Sequence, residues 1–164
     1  MGEPKVEIRP LGEPGDLGWV IQAHGELYAR EFGWNTDFEA LVARIVADYT
    51  RQDDRDGPRG AWIARADGAR AGCVFCVTDP DGTARLRLLL VDPAARGLGL
   101  GTLLVEQCLD FARQTGAARM TLWTNSVLTS ARRIYQAHGF TLTDEEPHHS
   151  FGTDLIGQNW SRTL

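Results

Sequence analysis

One stretch of the chain combines residue types and a spacing that could bind a phosphorylated ligand. In Arg96-Gly97-Leu98-Gly99-Leu100-Gly101, glycines alternate with other residues after the apolar run 88–91 and before an apolar helical pattern. Amides without neighbouring Cβ atoms, at the positive end of a helix dipole, form a natural phosphate site. Because the dipole contributes only about 0.3–1 kcal/mol per exposed charge, we expect the cation of Arg96 to assist.

The spacing of these glycines excludes two familiar phosphate-binding loops. A dinucleotide fingerprint, G-x-G-x-x-G, would end at Thr102 if it began at Gly97 and at Leu104 if it began at Gly99. A nucleoside-triphosphate loop requires a lysine after its last glycine, which this segment lacks. The stretch therefore predicts a different phosphorylated cofactor.

Two motifs resemble landmarks of the GNAT superfamily of N-acyltransferases. Arg96, Gly99 and Gly101 satisfy the acyl-CoA signature [R/Q]-x-x-G-x-[G/A], and residues 131–140 are similar to A-x-x-[L/I]-Y-x-x-x-G-F. The resemblance covers nearly the whole chain. It is closest to the acetyltransferase domain fused to MarR-type winged-helix regulators, whose winged helix has no counterpart in this sequence.

The resemblance implies acetyl-CoA as co-substrate, with its pantetheine arm between a fourth and a fifth strand that splay apart. The backbone of Leu89, Leu90 and Val91 is then expected to hold the pantetheine and polarise the thioester. The pyrophosphate is expected to contact Arg96, Gly97, Leu98, Gly99, Leu100, Gly101 and Thr102. Many members also use an asparagine seven residues before the tyrosine; that position is Leu128 here, so Asn125 is expected to substitute.

In such a reaction a neutral amine attacks the thioester, and the departing thiolate must gain a proton. The resemblance makes Tyr135 the general acid, since a phenol of pKa about 10 can serve a thiolate of pKa about 8.5. Members often place an acidic base on the fourth strand, but Arg85 to Leu88 supplies none, so the base stays unassigned. The resemblance suggests six residues around the acceptor: His24, Tyr28, Glu31, Trp34, Trp123 and His148.

Three functions are compatible with these residues. The motifs favour an acetyl-CoA-dependent N-acetyltransferase that acts on a small-molecule amine. The missing fourth-strand carboxylate leaves open a non-catalytic acyl-CoA-binding or sensor domain. A protein or peptide N-acetyltransferase is a further alternative. Dimers are common among relatives, so a homodimer is compatible with the resemblance.

Length and composition exclude several other classes. At 164 residues with a net charge of −5 and no basic tract, residues 1–164 are expected to form one domain without a nucleic-acid partner. No apolar run suits a membrane span or a signal peptide, so we expect no membrane partner and a cytoplasmic protein. Cys73 and Cys76 form a C-x-x-C within a strand pattern, where they would face opposite sides and pack as apolar residues. We expect no metal site.

Hydrophobic periodicity predicts the order β α α β β β α β α β β, an α/β fold. We expect a mixed, mostly antiparallel seven-stranded sheet with helices on both faces, and strands four and five parallel. Thr36 and Glu39 suggest a capping box at the start of the second helix, and 51–60 a surface loop. The last two strands are predicted over 140–146 and 154–161.

Overall fold

A computed structural model describes residues 2–51 and 57–164. Within these ranges the helices are α1 (Asp16–Phe32), α2 (Thr36–Thr50), α3 (Leu100–Gln114) and α4 (Thr129–Ala137). The strands are β1 (Val6–Pro10), β2 (Gly60–Ala66), β3 (Ala69–Thr78), β4 (Ala84–Val91), β5 (Arg119–Asn125), β6 (Thr141–Ser150) and β7 (Thr153–Thr163). The predicted order of elements is confirmed.

The strands form one seven-stranded sheet in the order β1-β2-β3-β4-β5-β7-β6. β4 and β5 pair in parallel, while the other neighbouring pairs in this sheet are antiparallel. A helix crossover, through α3, joins the two parallel strands, as such a pair requires. The expected mixed sheet is therefore confirmed.

Helices cover both faces of this sheet. One core cluster joins α1 and α2 to the sheet through residues such as Val20, Val42 and Phe75. The other packs α3 and α4 on the opposite face. Cys73 belongs to the first cluster and Cys76 to the second, and both thiols are free. The alternation of side chains along β3 thus separates the two cysteines, as predicted.

β4 contains a β-bulge at the point where the strand diverges from β5. Cys73 pairs with Leu90 and Phe75 with Arg87, so β4 has one more residue than β3 between these two pairs. Leu88 lies in the bulge with a left-handed φ of 54°, which is costly for a residue with a Cβ. Pairing with β5 ends at Leu86, so the β4 backbone from residue 87 onward has no strand partner on that side. The result is a wedge-shaped gap between β4 and β5.

The structure corrects the boundaries of α2, β6 and β7, and part of one predicted loop lies outside the described residues. The side chain of Asn35, not Thr36, caps α2 by accepting a hydrogen bond from the Asp37 amide, because the chain turns one residue earlier. β6 continues four residues beyond its predicted end, since Pro147 lies on an edge strand where a missing N–H is tolerated. β7 likewise begins and ends beyond its predicted bounds. Within the predicted loop 51–60, residues 52–56 lie outside the described residues.

Candidate active site

A cleft of about 660 Å³ runs along the wedge between β4 and β5. α1 forms one wall, the end of β4 and the start of α3 form the floor, and the segment before α4 with its first turns forms the other wall. The lining residues are Leu27, Tyr28, Glu31, Phe32, Leu89, Leu90, Val91, Ala95, Arg96, Gly97, Gly99, Leu100, Gly101, Thr102, Val127, Leu128, Thr129, Ser130, Ala131, Arg133 and Ile134. The unpaired β4 backbone and the glycine-rich loop thus share one cavity.

The glycine-rich loop turns the chain from β4 into α3. Gly97 and Gly99 have left-handed φ angles of 89° and 75°, conformations that other residues adopt only with strain. Gly101 serves packing instead, because a Cβ built there would lie 2.6 Å from Cδ1 of Ile134. α3 begins at Leu100, so the amides of its first turn have no partner inside the helix, and Leu100, Gly101 and Thr102 of this turn line the cleft.

An ion pair spans the mouth of this cleft. Nη2 of Arg96 and Oε1 of Glu31 are 2.5 Å apart, with the arginine side chain half exposed. The pair joins α1 to the glycine-rich loop across 65 residues of sequence. Because both residues line the cleft, an anion bound at the loop would compete with Glu31 for the guanidinium of Arg96.

Tyr135 lies beneath α4 between the helix and the sheet. Its residue is 4% exposed and its ring packs edge-on against Phe140, at 5.9 Å between centroids. Among the described residues its hydroxyl has no hydrogen-bond partner, and it is not one of the polar atoms that are both unpaired and fully enclosed. Tyr135 itself does not line the cleft; its sequence neighbour Ile134 does, and so does Tyr28, whose phenol is near enough to affect the pKa of Tyr135.

The phenol of Tyr135 is held in its protonated form. Burial raises its pKa above the ordinary value of about 10, and the nearby phenol of Tyr28 adds to this effect. Tyr28 lines the cleft from α1, and burial raises its pKa as well. Two neutral hydroxyls thus approach the wedge from opposite faces of the sheet, and both can donate a hydrogen bond.

The thiol of Cys73 supports the bulge at the wedge. Its Sγ lies 3.2 Å from the Leu88 carbonyl oxygen, to which it donates. Burial raises the pKa of this thiol, so it remains a donor. β3 is thereby tied to the residue at which β4 leaves its partner.

A second group of predicted residues, from β5 and β6, lies on the α1–α2 face of the sheet and outside the cleft lining. Trp123 is 46% exposed and lies over Gly157, where a Cβ would come within 3.0 Å of the indole. Its ring centroid is 5.5 Å from that of His148. Nε2 of His148 is 2.8 Å from Oδ1 of Asn125, and Nδ1 is 2.9 Å from Oγ of Ser150.

His24 and Trp34 lie in an aromatic cluster between α1 and α2 rather than in the cleft lining. Nδ1 of His24 is 2.7 Å from the Val20 carbonyl oxygen, and burial lowers the pKa of this histidine to about 4. The ring of Trp34 packs against those of Tyr28, Phe32, Phe38 and Phe151. The cluster fixes the position of Tyr28 at the edge of the cleft.

The structure brings most of the predicted cofactor residues together. All of them line the cleft except Leu98, which packs against the α3–α4 core, and Asn125, whose side chain contacts His148. Of the predicted acceptor residues, only Tyr28 and Glu31 line it. The lining residues that sequence reasoning missed are Leu27, Phe32, Ala95, the segment 127–131, Arg133 and Ile134. The position of Arg133, next to the motif residue Ile134, was the available signal.

Within 2–51 and 57–164, no group of three or more histidine, cysteine, aspartate or glutamate side chains could hold a metal ion. In the same ranges, no helix has the length and apolarity needed to cross a membrane.

The sequence and the fold are similar to those of known acetyltransferases. Residues 22–140 match the acetyltransferase (GNAT) family. An uncharacterised N-acetyltransferase of Schizosaccharomyces pombe is 29% identical over 154 residues, which cover 91% of each chain. The mycothiol acetyltransferase of Beutenbergia cavernae is 30% identical over 150 residues, covering 82% of this chain and 49% of that protein. This chain therefore spans nearly all of the first relative but about half of the second.

A solved structure shares the fold. The protein yncA of Salmonella typhimurium, determined with its cofactor acetyl-CoA, superposes with a TM-score of 0.76 at 20% identity, over 97% of this chain and 94% of the other.

The fold and cleft define a class of protein that can hold an extended ligand along an unpaired strand edge and its phosphates at a helix N-terminus. The family match covers most of the chain, and the relatives are named as acetyltransferases. The chain belongs to the acetyltransferase (GNAT) family and is an N-acetyltransferase by class.

Proposed function

We propose that this protein transfers the acetyl group of acetyl-CoA to the amine of a small molecule by direct attack within a ternary complex. The observation that carries the proposal is the wedge between β4 and β5. Unpaired β4 backbone and the N-terminus of α3 line the same cleft, and Tyr28, which also lines it, is close enough to the phenol of Tyr135 to affect the pKa of that phenol. We infer that residues 1–164 form one catalytic domain. We assign no regulatory role to this domain from its resemblance to MarR-fused acetyltransferases.

The residues present fit acetyl-CoA. The backbone of Leu89, Leu90 and Val91 can bind an extended pantetheine arm as an added strand would be bound, because β5 has left that edge free. Loop and helix amides with Arg96 can bind the pyrophosphate, and the exposed Arg133 supplies a second cation at the cleft. When bound, acetyl-CoA supplies the activated acyl group.

Tyr135 is proposed to donate a hydrogen bond to the sulfur as negative charge develops there. Because burial raises the pKa of this phenol, it is fully protonated at neutral pH and cannot act as a base. The same burial makes complete proton transfer to a thiolate costly, so the hydrogen bond is the main contribution.

A small acceptor is supported by the closure of the acceptor side. The tip of the β6–β7 hairpin is attached to the α1–α2 loop, since the Asn35 amide donates to the Phe151 carbonyl oxygen at 3.1 Å. Trp34 and Phe151 reinforce the contact, with ring centroids 5.0 Å apart. We infer that this bridge restricts access to the acceptor side and so favours a small amine over a protein surface.

The test is release of CoA thiol from acetyl-CoA across a panel of small amines, amino acids and peptides with free N-termini. We expect turnover with at least one small amine. Turnover with peptides alone would favour a protein or peptide N-acetyltransferase. If calorimetry shows tight binding of CoA but no amine is acetylated, the acyl-CoA sensor is favoured. The absence of a carboxylate on β4 supports that alternative.

A further inference from the structure

The side chains of Ser150, His148 and Asn125 form a hydrogen-bonded chain on the α1–α2 face of the sheet. The distances are 2.9 Å from Ser150 Oγ to His148 Nδ1 and 2.8 Å from His148 Nε2 to Asn125 Oδ1. The three residues come from the β6 strand and the end of β5, which lie on either side of β7. Gly157 of β7 pairs with Asn125, and its lack of a side chain leaves room for the indole of Trp123, which packs beside His148.

The partners determine which ring nitrogen of His148 carries the proton. An amide oxygen only accepts, so Nε2 of the imidazole must be the donor to Asn125. In the neutral ring Nδ1 is then an acceptor, and the Ser150 hydroxyl donates to it. The lone pairs of the Ser150 hydroxyl oxygen can then accept a hydrogen bond or a proton from another group, such as a substrate.

The position of this chain complements that of Tyr135. Asn125 ends the strand that borders the wedge, and its pairing with Gly157 places it on the same face as Trp123. α4 and Tyr135 lie on the opposite face.

None of the three residues of this hydrogen-bonded chain lines the cleft, but Val127, two residues after Asn125, does. At the other end of the hydrogen-bonded chain, Phe151 follows Ser150 and packs on Trp34, which packs on the cleft residue Tyr28.

The surroundings of His148 contain few charges. On this face of the sheet the pairing register places the exposed Glu146 nearest along β6. The other neighbouring residues are uncharged, namely Trp123, Asn125, Leu155 and Gly157. His149 turns to the other face, where its Nδ1 is 2.8 Å from Oδ1 of the exposed Asp154.

We propose that Ser150, His148 and Asn125 form a relay that accepts the proton of the acceptor amine; this rests on the proposed N-acetyltransferase function. An N–H bond of the substrate ammonium breaks and its proton goes to Ser150 Oγ, while the Ser150 proton moves to His148 Nδ1. The imidazolium keeps its Nε2–H bond to Asn125 and then releases its extra proton to water. The neutral amine so formed attacks the thioester, and Asn125 acts as a positioning residue that fixes the tautomer.

The relay is tested with His148→Gln and Ser150→Ala, with His149→Gln as the matched control. We expect His148→Gln to lower kcat/KM for the amine about 100-fold at pH 7, the lower end of general-base contributions. Ser150→Ala should lower it less, because water can replace the hydroxyl. The losses should shrink as the pH rises toward the pKa of the amine, which then deprotonates unaided, and the Kd of CoA should stay unchanged.

Wild-type turnover is measured first, and its absence with every amine would refute the proposed function and the relay with it. If the wild type turns over, activities of His148→Gln and Ser150→Ala within about 3-fold of His149→Gln at every pH would refute the relay alone. A loss that does not depend on pH would also refute it, since a purely structural role predicts that result. Thermal unfolding of each variant controls for folding, and Ser150→Ala gives the same test if His148→Gln does not fold.

Discussion

Glu31 and Arg96 hold each other across the mouth of the cleft, with Oε1 and Nη2 2.5 Å apart. The Glu31 carboxylate is thus paired with the Arg96 guanidinium, which we propose as a ligand of the pyrophosphate. We expect Glu31→Gln to tighten CoA binding about 3-fold, because a partly exposed ion pair of up to about 1 kcal/mol no longer competes. Arg96→Ala should weaken binding about 10-fold or more, through loss of a charge-assisted hydrogen bond.

Calorimetry with CoA measures both effects. The matched control is Glu26→Gln, since Glu26 is another α1 carboxylate that accepts a hydrogen bond from Gln22 of its own helix and lies outside the cleft lining. Weaker binding in Glu31→Gln would mean that Glu31 supports the cofactor site rather than competing with the pyrophosphate.

Tyr135→Phe separates chemistry from binding. The phenylalanine ring keeps the edge-on contact with Phe140 but loses the hydroxyl beside the cleft. We expect kcat to fall about 100-fold while the Kd of CoA changes little, the pattern for an interaction made mainly in the transition state. Steady-state kinetics and calorimetry check the two quantities. An unaffected Tyr135→Phe together with an impaired Tyr28→Phe would assign the donor to Tyr28.

Local patterning accounts for most of the fold that the sequence predicts. The spacing of apolar residues identifies each helix and strand, and the two motifs locate the β4–α3 loop and Tyr135. The bulge at Leu88 leaves no such signal, because leucine is among the residues least suited to a left-handed φ. It is imposed by pairing with β3, which is a tertiary effect.

The acceptor side was less predictable for the same reason. Asn125 and His148 are 23 residues apart, and they meet only because β7 inserts between β5 and β6. The pair Glu31 and Arg96 is likewise made by the packing of α1 against the loop. His24 shares the apolar stripe of α1, and periodicity alone does not show whether such a side chain faces a cleft or another helix.

Burial of His24 predicts a loss of stability in mild acid. Its pKa is lowered to about 4 in the folded protein, from about 6.5 in the unfolded chain. Below pH 6.5 the unfolded chain takes up a proton at His24 that the folded protein does not, so the free energy of unfolding falls progressively as the pH drops toward 4. Since each pH unit is worth about 1.4 kcal/mol, the loss approaches about 3 kcal/mol.

Urea unfolding of wild type and His24→Phe between pH 7 and 4 measures this loss. Phenylalanine keeps an aromatic ring beside Tyr28 and Phe38 without a titrating group. We expect the free energy of unfolding of the variant to fall less over this range. Parallel pH profiles would show that His24 does not remain neutral in the folded state.

Asp16 ties the start of α1 to β1 and β3. Its fully buried carboxylate accepts hydrogen bonds from Arg9, Arg70 and the amides of Gly12 and Glu13, each at 2.9 Å. We expect Asp16→Asn to cost about 3–5 kcal/mol, as for breaking a buried ion pair. Glu13→Gln, which removes an exposed partner of Arg9, should cost at most about 1 kcal/mol.

Denaturant unfolding at pH 7 compares the two variants, and equal costs would contradict a special role for Asp16. The hydrogen bonds from Arg9 hold the pKa of Asp16 well below its ordinary value. Its contribution is therefore complete above a pH of about 4 and is lost as the pH falls toward the lowered pKa. The difference between wild type and Asp16→Asn should narrow in that acid range.

The most direct test of the account measures thiol release and amine acetylation in one reaction. Wild-type protein is incubated with acetyl-CoA and the best amine of the panel, and free CoA and the acetylated amine are both quantified over time. We predict equal amounts of the two products and no comparable thiol release when the amine is omitted. CoA release that is independent of the amine, or no acetylated product with any amine, would contradict direct transfer in this cleft.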